Sequence, residues 1–277
     1  MTLTFDWQGI GVKISYRKYY LPPDFRKLKR GIMKFEEMIN QVICGDCLIE
    51  MQNIPDKSID MILCDLPYGT TACAWDTIIP FEPLWKQYKR IIKDNGAIIL
   101  TASQPFTSAL VMSNIKMFKY CWTWDKTTAK GHLVAKIRPM QQTEDILVFG
   151  QNKINYFPQM IERPKNKIET TSEHKRSEIM GGVSKGYTKT YTQWYPKTLL
   201  KFKVERGLHP TQKPVALFEY LIKTYTNEGD LVLDNCAGSG TTGIAARKLN
   251  RNFILIEKEP KYVEIIKQRL RQDLLPI

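Results

Sequence analysis

Leu231-Val232-Leu233-Asp234-Asn235-Cys236-Ala237-Gly238-Ser239-Gly240-Thr241-Thr242-Gly243 decides the fold. A short apolar run closes on an acid, a glycine-rich turn follows, and residues 241–249 have the spacing of a helix. Glycines at such a turn let backbone amides come close to a ligand where a Cβ would obstruct it. A turn of this kind also occurs with no ligand, so its neighbour matters. Residues 252–257 read as the next strand and end in Glu257, about 20 residues after the turn, where doubly wound folds place the acid that takes the ribose hydroxyls of an adenosine. No Lys follows the glycines at the spacing of a phosphate-binding loop, which disfavours that alternative.

Working outward, strand-like and helix-like stretches alternate. Strands are predicted at 42–45, 60–65, 97–101, 120–124 and 146–149, the last preceded by a polar stretch. Helical spacing covers 47–54, 81–93, 105–114, 214–225 and 261–271. The 81–93 helix is expected to stop at Asn95-Gly96 in a left-handed ending, and Pro214 suits the first turn of its helix. This alternation predicts an α/β fold with a doubly wound, mostly parallel sheet. Residues 152–208 break the rhythm with few apolar runs and with aromatics among bases, as in Tyr187, Lys189, Tyr191, Trp194, Tyr195 and Lys197; they read as an insertion of irregular or β structure.

Charge follows the same division. The chain of 277 residues carries 41 Lys and Arg against 28 Asp and Glu, a net charge of +13. Residues 1–35 hold 8 basic against 2 acidic residues and 152–208 hold 12 against 5, which leaves 21 of each elsewhere. A neutral body with two basic segments fits a polyanionic partner that touches particular surfaces, the plainer alternative being two solvated basic runs. No apolar run is long enough for a membrane span and no signal pattern opens the chain, so neither membrane nor secretion is expected. The six cysteines suit reduced thiols. Cys44-Gly45-Asp46-Cys47 does read as CxxC, but there is no second CxxC and the three histidines are scattered, so no metal is expected.

The second motif is Asp65-Leu66-Pro67-Tyr68, which closes the apolar run Met61-Ile62-Leu63-Cys64. It sets a carboxylate, a backbone carbonyl outside any helix and an aromatic face at one strand end, which is what holding a planar base requires. An exocyclic amine is a poor nucleophile because its lone pair is delocalised into the ring. Two acceptors, the Asp65 carboxylate and the Pro67 carbonyl, could bind both N–H groups and favour a pyramidal nitrogen, and a fixed carboxylate is worth more as positive charge develops there. Tyr68 is suited to stack on the base. Asp46 ends another short strand and could accept from an exocyclic amine, while His209-Pro210-Thr211-Gln212-Lys213-Pro214 leads the helix before the glycine-turn strand; each also has a plain reading as a cap or turn.

Asp65 to Tyr68, the glycine turn after Leu233-Asp234-Asn235-Cys236-Ala237, Glu257, residues 209–214 and Gly45-Asp46-Cys47 together resemble the S-adenosylmethionine-dependent DNA amino-methyltransferases. Their order, with the Asp65 motif first, the basic insertion next and the glycine turn last, is similar to the β group, whose Rossmann-like methyltransferase sheet is circularly permuted. The resemblance covers about residues 40–151 and 209–272. Two departures are Leu66 for the more usual Pro and Asn235-Cys236 ahead of the glycines. It implies a catalytic domain of residues 36–151 and 209–277, a target-recognition insertion at 152–208 and a basic extension at 1–35, read as an over-long leader or an extra arm. It also implies that Gly238, Ser239 and Gly240 cradle the methionine portion of the cofactor with Asp234 near its ammonium. Glu257 would hold the ribose, Asp46 the adenine amine, and Thr211, Gln212 and Lys213 the methionine side, with Asp65 beside the cofactor as well as the base.

The implied reaction is site-specific methyl transfer to a flipped-out adenine N6, with Asp65, Pro67 and Tyr68 as the catalytic set. Asp at the first motif position resembles the adenine-N6 members, where cytosine-N4 members more usually carry Ser; an N4-cytosine enzyme and a DNA-binding module with an inactive site are the alternatives. The loop through Thr70, Ala72 and Trp75 is expected to close over the base, Trp75 having an equal reading as core. Trp124-Asp125-Lys126 is a further candidate for the pocket. Candidate DNA contacts are Arg163, Lys175, Arg176, Lys185 and Lys189, with Tyr191 or Trp194 as wedges. The implied partner is double-stranded DNA, with a homodimer and a cognate restriction endonuclease as further companions, in the cytoplasm of a bacterium or encoded by a phage.

Overall fold

The computed structural model describes residues 33–70, 76–172, 174–175, 183–184, 186–205 and 212–272. The leader 1–32, the loop centre 71–75, Arg176, Lys185 and Thr211 lie outside them, and Lys175 is described as backbone only. In chain order the first elements are α1 (Phe35–Met38), β1 (Gln41–Cys44), α2 (Cys47–Glu50), β2 (Ile59–Cys64), α3 (Phe81–Ile91), β3 (Ile92–Ala102) and α4 (Phe106–Ser113). There follow β4 (Phe118–Lys130), β5 (Gln141–Phe149), β6 (Ile161–Thr171), β7 (His174–Lys175), β8 (Val183–Ser184), β9 (Tyr187–Trp194) and β10 (Leu199–Lys201). The chain then forms α5 (Val215–Tyr225), β11 (Leu231–Asp234), α6 (Thr241–Lys248), β12 (Asn252–Glu257) and α7 (Pro260–Gln272).

Eight strands make one sheet in the order β1-β12-β11-β2-β3-β5-β4-β10. All pair in parallel except β5, which runs antiparallel to both its neighbours, β3 and β4. The late strand β11 therefore sits in the middle beside the early strand β2, the placement a circular permutation requires. Helices cover both faces, so the central strands are apolar on both sides. From β2, Ile62 and Cys64 join the core under α3 and α4, with Leu84, Tyr88, Ile91 and Phe106. Met61 and Leu63 point the other way, into the core of α5 and α6 with Leu217, Leu221, Ile244 and Ala245. These β2 side chains have no solvent exposure.

Three expectations change. The helix predicted at 81–93 ends at Ile91, and Asn95-Gly96 lie inside β3 rather than in a left-handed stop. Gly96 is needed for a different reason: a Cβ there would meet the carbonyl oxygen of Asp60 at 2.8 Å, where β2 and β3 shift register. The strands predicted at 120–124 and 146–149 are much longer, because β4 and β5 pair with each other beyond the sheet as far as Lys130↔Gln141. Within 152–208, β6 and β9 form an antiparallel ribbon from Ile161↔Trp194 to Thr171↔Tyr187, whereas Leu199–Lys201 return to the main sheet as its eighth strand.

Candidate active site

Parallel strands end at one edge of a sheet, and ligands of doubly wound folds lie in the crevice outside those ends. Here the order β1-β12-β11-β2 puts Asp46, Glu257, the glycine turn and Asp65 side by side, one strand end each. At about 4.8 Å per strand the row from Asp46 to the glycine turn spans roughly 10 Å.

The turn is held by its own acids. Gly238 and Gly240 have φ of +53° and +79°, conformations that a side chain resists. The Gly238 amide donates to Glu257 Oε2 at 2.8 Å, and the Glu259 amide donates to the other oxygen at 2.8 Å. Burial raises the pKa of the Glu257 carboxyl and these amides oppose it. Asp234 is buried below the turn, where its carboxyl accepts from the Cys236 amide at 3.0 Å and from the Thr242 hydroxyl at 2.5 Å. Burial outweighs these donors and pushes its pKa up to about 7. Arg269 donates to the Ser239 carbonyl at 2.7 Å. Asp46 caps α2 by accepting from the Leu48 amide at 2.9 Å.

On the β2 side six residues form one buried polar network. Asp65 accepts from the Tyr68 hydroxyl at 2.8 Å and from the Thr101 hydroxyl at the end of β3. The Lys213 ammonium lies 2.8 Å from Asp65 and 2.8 Å from Glu144 of β5, and Lys126 of β4 reaches the second Glu144 oxygen at 2.9 Å. The Tyr68 hydroxyl also lies 2.8 Å from Glu144. Charges this deep are tolerated only when paired. Burial alone would raise the pKa of Glu144, but the Lys213 and Lys126 ammoniums outweigh it and hold it at about 2. Burial works against the Lys213 ammonium too, and Asp65 and Glu144 reverse that and raise its pKa.

Several predicted residues are placed differently. Lys213, expected on the methionine side, turns its ammonium to Asp65 and Glu144, which compensate its charge in so dry a place. Gln212 lies 3.4 Å from Glu205, whose carboxylate also caps α5 through the Val215 amide. Tyr68 stacks one ring face on Phe106, with centroids 5.1 Å apart, and Lys213 stands 5.6 Å from its ring centre. Pro67 follows the buried Leu66 at the strand end as predicted. Asp76 accepts from the amides of Gly69 and Thr70 at 2.8 and 2.9 Å and so fastens the root of the loop expected to cover the base.

Thr101, Glu144 and Phe106 were missed by sequence reasoning. An acid pair, Glu144-Asp145, immediately ahead of four buried apolar residues was the available signal for Glu144. Of the candidate DNA contacts, Arg163 stacks its guanidinium on Trp194 at 4.8 Å and Lys189 lies over Tyr191 at 5.1 Å. Both proposed wedges are thus ribbon rings already engaged by a cation. Burial pushes the Cys64 thiol up to about 12, with the neighbouring Asp234 and Asp65 charges adding to it. Among the described residues no cluster of His, Cys, Asp and Glu fits a metal, and no helix is long and apolar enough to cross a membrane.

Comparison with known proteins supplies the context. The DNA methylase family model matches residues 59–268. The chain is 29% identical over 251 residues to the Type II methyltransferase M.HpaI of Haemophilus parainfluenzae, covering 85% of this chain and 76% of the relative. It is 28% identical over 263 residues to the DNA adenine methyltransferase YhdJ of Escherichia coli (strain K12), covering 86% and 84%. Among solved structures, the M1.HpyAVI–SAM complex superposes with a TM-score of 0.56 at 27% identity, over 83% of this chain and 98% of that one.

Proposed function

Because the chain belongs to the DNA methylase family, we propose that it is a site-specific DNA methyltransferase that moves the methyl group of S-adenosylmethionine to the N6 amine of a flipped-out adenine. The observation that carries this reading is the row of strand ends, Asp46, Glu257, glycine turn and Asp65. Three of them fit an adenosine with an amino-acid tail, and the fourth fits a base amine beside it.

The donor set suits the cofactor. Glu257 offers a carboxylate to ribose hydroxyls, Asp46 an acceptor to an adenine amine, and Gly238 to Gly240 a close backbone surface for the methionine part. Asp234, pinned by Thr242 and Cys236, keeps that surface in shape. S-adenosylmethionine supplies an electrophilic methyl on a positively charged sulfur.

The protein does the rest by placement. Asp65 and the Pro67 carbonyl accept the two N–H groups of the target amine and direct its lone pair. Lys213, Thr101 and Tyr68 hold the Asp65 carboxylate from behind, so that a fixed negative charge faces the nitrogen as it becomes positive; removing such a partner typically costs about 10²–10³ in rate. The face of the Tyr68 ring turned away from Phe106 is the surface on which the base stacks. The product proton leaves to Asp65 or water, and no cysteine takes part.

Arg163 and Lys189 on the β6–β9 ribbon, with Lys175, Arg176 and Lys185, contact DNA phosphates or base edges. The Type II name of the M.HpaI relative supports pairing with a cognate endonuclease, and a homodimer is the assembly this reading admits. Adenine over cytosine rests on Asp65 at the first motif position and on the name of the YhdJ relative. The test is mass spectrometry of nucleosides from unmethylated DNA treated with the purified chain and cofactor. N6-methyladenine is expected; N4-methylcytosine without it would overturn the assignment.

A further inference from the structure

We propose that the tip of the β4–β5 hairpin, residues 131–140, enters the duplex and fills the gap left by the extruded base, with Leu133 and Ile137 as the inserting side chains. The proposal rests on the methyltransferase reading above and moves the wedge from the ribbon to a segment to which sequence reasoning assigned no role.

Leu133 is 101% exposed and Ile137 85%, more than any other large apolar side chain among the described residues. They are not on a loose strand. The Val134 amide donates to the Gly131 carbonyl at 3.1 Å, Ala135 to His132 at 3.2 Å, and Ile137 and Arg138 to Val134 at 2.9 and 3.0 Å. These bonds, mostly of the tight i→i+3 kind, wind the tip into a built turn that carries both positions 133 and 137. Leaving two such side chains in water forgoes their burial on folding, so a built turn that presents both calls for a surface that covers them.

The position of the tip selects the partner. β4 and β5 bring Lys126 and Glu144 into the network around Asp65 and then continue outward as a pair to Lys130↔Gln141. Four strand residues reach at most about 13 Å, so the tip stands beside the place where the target base would enter. Asp125 braces the root, accepting from the Thr127 amide at 2.8 Å and the Gln142 amide group at 2.7 Å. Residues 127–142 include Lys130, Lys136 and Arg138 and no Asp or Glu. Two apolar side chains among charges of one sign match a stacked, polyanionic duplex: the bases offer an apolar gap and the phosphates on either side take the cations.

The test uses the full chain and its L133A/I137A variant, whose changes lie in solvent; thermal melting and calorimetry of cofactor binding check that fold and cofactor site persist. Both proteins are assayed on a duplex bearing the site mapped from methylated DNA and on the same duplex with a mismatch opposite the target adenine. Opening a paired base costs unstacking that a mismatch largely removes. On the matched duplex the variant is expected to lose about tenfold or more in methylation rate, because filling the gap offsets that cost. On the mismatched one it should come within about twofold of wild type, since little opening remains to be stabilised. Equal loss on both duplexes, or no loss on either, overturns the wedge while the enzyme reading stands. No transfer by the wild-type chain to any unmethylated DNA overturns the enzyme reading and the wedge with it.

Discussion

Lys213 and Asp65, far apart in sequence, meet as a buried ion pair with the ammonium 2.8 Å from the carboxylate. The same ammonium reaches Glu144 at 2.8 Å, so one cation ties Asp65, just past the end of β2, to the reversed strand β5. K213M is expected to lower kcat by about 10²–10³ and to cost about 3–5 kcal/mol of stability, because it leaves two acids with one cation. Cofactor affinity measured by calorimetry should change little. A collapse of cofactor affinity with kcat intact would return Lys213 to the methionine side, where the family resemblance put it.

Tyr68 has separable parts. Y68F removes a hydroxyl that lies 2.8 Å from both Asp65 and Glu144 and keeps the ring on Phe106. It should lower stability by about 1.5–3 kcal/mol, the range for hydrogen bonds to charged groups, and leave the KM for DNA nearly unchanged. Y68A also removes the stacking face and should weaken DNA engagement by about 1–3 kcal/mol. Denaturant melts and steady-state kinetics separate the two.

Asp234 makes stability depend on pH near neutrality. Its pKa is raised from 3.8 to about 7 by burial, so the folded state holds the proton more tightly than the unfolded one. The resulting stabilisation is complete below 3.8 and is lost as pH rises through 7. Glu144 acts oppositely: with its pKa depressed from 4.5 to about 2, its contribution is complete above 4.5 and lost as pH falls through 2. Between pH 6 and 8 the Tm of wild type should therefore fall relative to that of D234N. Parallel Tm profiles for the two proteins would refute the assignment.

Asp76 bonds the amides of Gly69 and Thr70 at once. D76A leaves both donors unpaired, so hydrogen exchange at Gly69 and Thr70 should accelerate at least tenfold, by about the 1.4 kcal/mol that a modest hydrogen bond supplies. If the loop closes over the base, KM for DNA rises while cofactor affinity holds. Unchanged exchange would show that the root is held by other contacts.

What was legible in the sequence is what neighbouring residues decide. Ile62 and Cys64 face one core and Met61 and Leu63 the other, so an unbroken apolar run announced a strand buried on both sides. The glycine turn and Glu257 were legible because strand, turn and acid are local. The pairing of Lys213 with Asp65 and Glu144 was not legible, because these partners arrive from strands with no sequence link to it. Glu144 was missed because an acid ahead of a strand ordinarily reads as a turn. Gly96 was misread because a glycine after a helix has two uses, and only the Asp60 carbonyl 2.8 Å from its would-be Cβ tells close approach from a left-handed stop.

The place of β12 and β11 in the sheet has a consequence during synthesis. Among the described residues β1 pairs with β12 alone, and β2 is flanked by β3 on one side and β11 on the other. Until residues 231–257 emerge, the first half of the chain carries a strand without a mate and a second with an open edge, both apolar. Such edges invite pairing between chains, so co-translational protection of the early half, rather than the strength of the finished core, would set the yield of native protein.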